Sequence, residues 1–275
     1  MKVRVKFAKY GCMKFIGHLD VMRFFQKALR RAGIDVAYST GYSPHQIMSF
    51  ASPLGLGMHS NGEYMDIEVN TPAEVNTPTE VNTSAEVNAS AATAPKPRMS
   101  SAEMRRRLNE VSVPGIEVLS VKALPENAGN AMASVAAARY TVYFKDPSLN
   151  FHFLDSCMET FLAQPAIAVT KETKKGTSRM DLRPGIYECR VTADGNLEFL
   201  VDASSSGNIK PSLLINALWK FAGPQRLPYF EGQPYAREEE LPLTALQQVR
   251  EETYTNTGTP ESPVFVPLDE VGEDF

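Results

Sequence analysis

Two histidines and a row of cations are the side chains in this sequence best suited to chemistry. His18 and His45 carry imidazoles, which titrate near neutral pH, and such a pair can act as general acid and base in metal-independent phosphodiester cleavage. They bracket a helix-like segment in sequence, His18 at its start and His45 in the run Gly41-Tyr42-Ser43-Pro44-His45. A plainer role competes and is the one we favour: His18 fills a first helical turn, and His45 orders its loop by hydrogen bonding. Metal binding by His18, Asp20 and His45 fits poorly, because residues at i and i+2 of a helix point in different directions. Neither a metal site nor a cofactor is expected.

The cations fall on the same segment. Arg23, Lys27, Arg30 and Arg31 gather opposite Met22, Phe25, Leu29 and Ala32, which recur at helical spacing. Solvation is the ordinary fate of such a face, and phosphate binding is the functional alternative. A second basic stretch, with Lys171, Lys174, Lys175, Arg179 and Arg183, adds weight to phosphate binding. Asp20, Gly41, Tyr42, Ser43, Pro44, His45, Pro53 and Gly57 are the residues expected to shape a site, since the loop that holds most of them is longer than packing needs. The glycines at 55 and 57 do not form a phosphate loop, because no Lys-Ser/Thr follows them.

Regular elements must position these groups. Val3, Val5 and Phe7 alternate with Lys2, Arg4 and Lys6 as in a strand with one buried face. Gly17 and Gly33 bound the cationic helix, and strands are expected over 34–39, 63–69 and 116–124. Ser100 or Ser101 caps a helix with Met104, Leu108 and Val111 inward. Between 70 and 98 runs a hexapeptide repeat of Val-Asn-Thr-Pro-Ala-Glu type, too poor in large apolar residues to build a core and read as a disordered insertion. Without it the order is β-α-β-β-α-β, a ferredoxin-like arrangement. After a linker at 126–133 the pattern repeats. It has strands over 139–144 and 166–170, a helix opened by Ser148, a hairpin across Asp194-Gly195, a helix from Pro211, and a last strand at 235–241. The expected fold is therefore α+β, with two tandem ferredoxin-like domains over 1–125 and 134–243 and an acidic, flexible tail over 244–275.

The formal net charge of −4 conceals a segregation. Residues 1–33 hold nine Lys or Arg against Asp20, a balance of +8; residues 230–275 hold eleven Asp or Glu against Arg237 and Arg250, a balance of −9. An acidic tail of this kind can shield a basic surface or simply keep the chain soluble. Three cysteines, Cys12, Cys157 and Cys189, are too far apart for a metal knuckle and suit reduced thiols. No apolar run approaches a membrane span and no signal-peptide core opens the chain, so a cytoplasmic location is the expectation.

The run Phe15-Ile-Gly-His18-Leu-Asp20-Val-Met-Arg23-Phe24, followed by Gly41-Tyr-Ser-Pro-His45 and Pro53-Leu-Gly-Leu-Gly57, strongly resembles the radical SAM-linked protein family. The stretch from Lys171 to Arg183 is similar to that family's second motif. The family is a domain of unknown function, found alone or fused behind radical SAM enzymes that carry a cobalamin-binding domain. Gly17 departs from the serine usual before His-Leu-Asp, and the hexapeptide insertion is a second departure. The resemblance implies a radical SAM enzyme as partner, because this chain has no Cys-x-x-x-Cys-x-x-Cys to hold an iron–sulfur cluster. The expected function is a non-catalytic adaptor that binds RNA through basic surfaces. The alternatives are an endoribonuclease using His18 and His45, and a protein-binding scaffold.

Overall fold

The computed structural model describes residues 1–70, 99–173 and 176–275. Strand β1 (Lys2–Lys9) buries Val3, Val5 and Phe7, and its period-two pattern is the one read from the sequence. A 3-10 turn at Gly11–Phe15 leads to α1 (His18–Arg31), whose N-cap, Gly17, is extended and offers no side-chain bond. Val21, Phe25, Ala28 and Leu29 of α1 are buried against β1, and Gly33 ends the helix with φ +69°, a conformation that glycine adopts without strain.

The second strand differs from expectation. Ile34 and Val36 are buried, so their alternation was real, but 34–39 makes only isolated bridges, Val36 to Val69 and Tyr38 to Gln46. The ladder beside the next strand is filled instead by β2 (Met48–Phe50). There follow β3 (His59–Glu68), α2 (Ser101–Glu110) and β4 (Ile116–Ala123). Ser100 caps α2 by accepting a bond from the Glu103 amide at 3.2 Å. The expected insertion at 70–98 lies outside the described residues except for Asn70.

A short α3 (Ala131–Ser134) occupies the expected linker and leads to β5 (Ala137–Phe144). The helix expected from Ser148 is reduced to a 3-10 turn at His152–Leu154 and α4 (Met158–Leu162). Strands β6 (Ala168–Thr173) and β7 (Gly176–Asp181) then form a separate two-stranded hairpin. So the basic stretch expected as a loop is largely this hairpin. β8 (Ile186–Val191), β9 (Leu197–Asp202) and α5 (Pro211–Ala222) match expectation, with Gly195 at φ +75° in the hairpin turn and Pro211 at the helix start.

The largest correction concerns the C-terminus. Residues 235–241 form no strand: the Glu238 carbonyl accepts from Trp219 Nε1 at 3.0 Å and from Arg226 Nη2 at 3.0 Å, so side chains hold this segment where a ladder was expected. The strand is β10 (Leu246–Asn256), inside the expected flexible tail, and β11 (Phe265–Pro267) pairs with it. Among the described residues the sheet has nine strands in the order β4-β1-β3-β10-β5-β9-β8, with β2 on β3 and β11 on β10. Each half is antiparallel throughout, and the halves join where β3 and β10 run parallel at His59 with Val249 and Ser60 with Arg250. The fold is thus α+β with a mostly antiparallel sheet. The expected domain boundary at 244 instead falls next to the central strand.

Polarity misled here for a physical reason. Gln247, Gln248, Arg250 and Thr253 of β10 are all buried, and a row of such residues reads as a solvated tail unless its partners are known. Most of those partners come from far away in sequence, such as Glu63 and Tyr140 for Arg250 and the Gly62 carbonyl for Thr253. The acidic end also covers the outer face of β1. Arg4, fully buried, donates to both oxygens of Asp66 (2.7 and 2.9 Å) and to the Leu268 carbonyl, while Lys6 pairs with Glu252. Asp269 in turn lies within hydrogen-bond distance of Tyr64 and Ser120. The charge segregation of the chain is, in part, the two sides of this contact. No helix among the described residues is long and apolar enough to cross a membrane.

The thiols follow the same division between surface and interior. Cys12 is exposed, Cys157 is buried with its thiol pushed up by burial, and low-dielectric surroundings push Cys189 up to about 12. Since the thiolate is the reactive form, iodoacetamide should label Cys12 in the native protein and reach Cys157 and Cys189 only on unfolding. Peptide mass mapping before and after denaturant checks this. Equal native labelling of all three would contradict the packing around Cys157 and Cys189.

Candidate functional site

The two histidines have separate surroundings. His18, half-buried at the start of α1, sets its ring edge-on to Phe50 at 5.1 Å. It lines a cavity of about 10 Å³ with Lys9, Ser52 and Glu63, room for about one water. Lys9 is buried there with its ammonium on the Ile16 carbonyl (2.8 Å), and burial holds its pKa below the usual lysine range. His45 is exposed, and its Nδ1 lies 2.9 Å from Ser39 Oγ and 3.3 Å from the Ser43 carbonyl. Those are the contacts of a residue that orders a turn. His45 has no place in the wall of the His18 cavity.

The site-shaping residues divide as well. Gly41, at φ +120°, Tyr42, Ser43, Pro44 and His45 make an exposed turn, and Asp20 pairs at 3.2 Å with Arg23 on the exposed face of α1. Pro53 and Gly57 instead line a cleft between the two halves of the molecule.

The α1 cations are exposed, all four of them. Arg23 faces Asp20, and Arg30 Nε donates to the Gln26 carbonyl at 3.2 Å. The side chains of Lys27 and Arg31 have no hydrogen bond or ion pair among the described residues. On the hairpin, Lys171 is half-buried and Arg179 exposed, while Lys174 and Lys175 lie outside the described residues. Arg183 serves the fold: its guanidinium donates to the carbonyls of Leu162 (2.7 Å) and Ile186 (3.3 Å). The sheet face across from α1 is unavailable to a ligand over β1, because Arg4 and Lys6 are covered there as described.

Sequence reasoning missed the cleft. Its volume is about 550 Å³, and it is lined by Lys14 and Phe15, the Ser52–Met58 loop, Tyr140 and Lys145 of the β5 region, the start of α5, and Gln248 and Arg250 of β10. Hydrogen bonds pin the loops that form it: the Gly57 amide donates to the Lys14 carbonyl (2.8 Å), and Gln247 bridges Lys14 Nζ and the Gly57 carbonyl. Arg250 lies in the buried floor. Desolvation opposes its charge, but Tyr140 Oη at 3.2 Å and Glu63 at 2.9 Å outweigh that and keep the guanidinium protonated. The Pro53-Leu-Gly-Leu-Gly57 run was the one signal that could have pointed here. Lys14, Lys145 and Lys210 are isolated in sequence and meet only in the fold. Among the described residues no group of three or more His, Cys, Asp or Glu is placed to hold a metal ion.

The structure is therefore that of an α+β protein with one mostly antiparallel sheet running through two halves and a cationic cleft between them. The chain belongs to a family described as an uncharacterized protein conserved in bacteria (DUF2344), whose model matches residues 2–90 and 76–211, two segments that overlap within the hexapeptide repeat. No curated protein matches the chain.

Proposed function

We propose that this protein is a non-catalytic adaptor that binds RNA and works with a radical SAM enzyme, and that each half is a ferredoxin-like unit, with β4 and β10 as their fourth strands. The observation that carries the RNA reading is the exposed face of α1, where Lys27 and Arg31 have no carboxylate partner among the described residues. The separate β6-β7 hairpin, with Arg179 exposed, offers a second cationic surface. Because the β1 face is covered, RNA would be held by its phosphates on helix and hairpin rather than by bases stacked on the sheet. The partnership rests on the resemblance carried by the stretch from Phe15 to Gly57. One observation favours an endoribonuclease as the second reading: His18 shares its small cavity with Lys9 and Glu63.

Four variants, Arg23→Ala, Lys27→Ala, Arg30→Ala and Arg31→Ala, test the face by a melt and a salt-dependent titration with a structured RNA. Loss of one phosphate contact lowers the log–log salt slope by about one. The expected result is that decrease for Lys27, Arg30 and Arg31, a smaller one for Arg23 because Asp20 already neutralises it, and stability within about 0.5 kcal/mol. The RNA should be recovered at full length. Unchanged affinity in all four would defeat the RNA reading and favour a protein scaffold, whereas fragments that vanish in His18→Ala would install the nuclease.

A further inference from the structure

We infer that the cleft between the two halves is a binding site for a nucleoside phosphate, taken either as a free nucleotide or as one unit of an RNA strand. Charge is the first reason. Lys14, Lys145, Lys210 and Arg250 line the cleft, and no Asp or Glu does so among the described residues. Glu63 offsets Arg250 from behind, but the three lysines meet only neutral groups: Lys14 the Gln247 amide oxygen, Lys145 the Thr244 carbonyl, and Lys210 no partner among the described residues. An anion in the cleft would complete all three.

The second reason is independent of charge. Gln248 is 9% exposed, lines the cleft, and makes no side-chain hydrogen bond among the described residues. Arg250 is 6% exposed, and while its Nε and Nη1 are bonded, its Nη2 has no acceptor among the described residues. Both groups belong to largely buried residues, face the cleft and have no protein acceptor among the described residues, so they are open to a ligand. Phosphoryl oxygens, which accept several bonds each, are the groups that would satisfy them. The N-terminus of α5 opens on the same space, with Pro211 and Ser212 in the wall, and its dipole favours a negative charge there.

Size and rim extend the ligand beyond phosphate alone. About 550 Å³ is far more than one phosphate fills, and Phe15 (66% exposed) and Leu56 (68% exposed) stand at the wall with their apolar surfaces open. Lys14 lies over the Phe15 ring at 5.3 Å from its centroid, so the ammonium and a stacking surface for a base are adjacent.

This inference stands whether or not α1 binds RNA, and its test keeps the two apart. AMP, adenosine, inorganic phosphate and a short single-stranded oligoribonucleotide are titrated calorimetrically into the whole protein and into Lys145→Ala, Lys210→Ala, their double variant, Gln248→Leu and Lys27→Ala. A melt of each variant confirms folding. We expect AMP or the oligonucleotide to bind, and adenosine to bind at least about tenfold more weakly than AMP, since it lacks the charge. Lys145→Ala and Lys210→Ala should each weaken the charged ligand by about fivefold, while Lys27→Ala leaves AMP unaffected. Binding of AMP identifies the free nucleotide as sufficient; binding of the oligonucleotide alone, sensitive to Lys145 and Lys210, assigns the unit to a strand. If neither binds, or if the folded double variant binds both as well as the parent, the cleft is not a nucleoside phosphate site.

Discussion

A chain that stops after Ala245 is expected not to fold, although it would lose only the stretch that looks like a flexible tail. Removing β10 takes the strand between β3 and β5 and leaves two long edges unpaired in the middle of the sheet. It also strips Glu63 and Tyr140 of Arg250, and Lys6 and Tyr64 of Glu252. A folded chain holds a net stability of only about 5–15 kcal/mol, so losing a central strand and its buried partners exceeds the reserve. A second truncation, after Thr257, gives an internal scale. It keeps β10 but removes β11, the Leu268 carbonyl that Arg4 uses and the Asp269 carboxylate beside Tyr64 and Ser120. That chain should fold with a clearly lowered midpoint. Circular dichroism melts and gel filtration decide the matter: a soluble, cooperatively melting chain ending at Ala245, with a midpoint near that of the whole protein, would refute the central place of β10.

Arg4→Ala should destabilise the protein by about 3–5 kcal/mol, the range for breaking one side of a buried ion pair. The arginine is fully buried, and its loss leaves the Asp66 carboxylate with the Ala131 amide (2.7 Å) but no opposite charge. In a chain of this size that corresponds to a fall in midpoint of about 10 °C. Arg23→Ala removes a single 3.2 Å contact to Asp20 and should cost almost nothing, because Arg23 and Asp20 have side chains 66% and 61% exposed. The paired replacement Arg4→Met with Asp66→Leu should recover only part of the loss. It discards both charges together, yet orphans the Ala131 N–H and the Leu268 carbonyl, at about 1–3 kcal/mol for each buried group. Denaturant melts of the four proteins test the ordering. An Arg4→Ala cost below about 1 kcal/mol would mean that the pair behaves as a surface contact.

Elements made by local rules were legible in the sequence. The alternation in β1, the glycine limits of α1, the Ser100 cap, the turn at Asp194-Gly195 and Pro211 at the head of α5 each depend on residues within a few positions of one another. The exposure of Arg23, Lys27, Arg30 and Arg31 followed from the same local geometry, as the face of α1 away from Phe25 and Leu29. The site was legible only in pieces. Pro53 and Gly57 stood out as site-shaping residues, but Lys145, Lys210, Gln248 and Arg250 carry no local pattern and are brought to them by strand pairing across the whole chain.

What the tertiary structure alone decided is where polar residues are buried. Hydrophobic periodicity identifies a strand because an apolar face must leave water whatever it packs on. A polar face can be buried only when specific partners satisfy it, and for β10 those partners lie at Ser52, Gly62, Glu63 and Tyr140. For the same reason Arg4 and Lys6 read as the solvent side of a strand with one buried face until Asp66, Glu252 and Leu268 close over them. By itself the sequence determined the strands and helices that bury their own apolar faces; the central strand, the covered face of β1 and the cationic cleft exist only once distant polar groups meet.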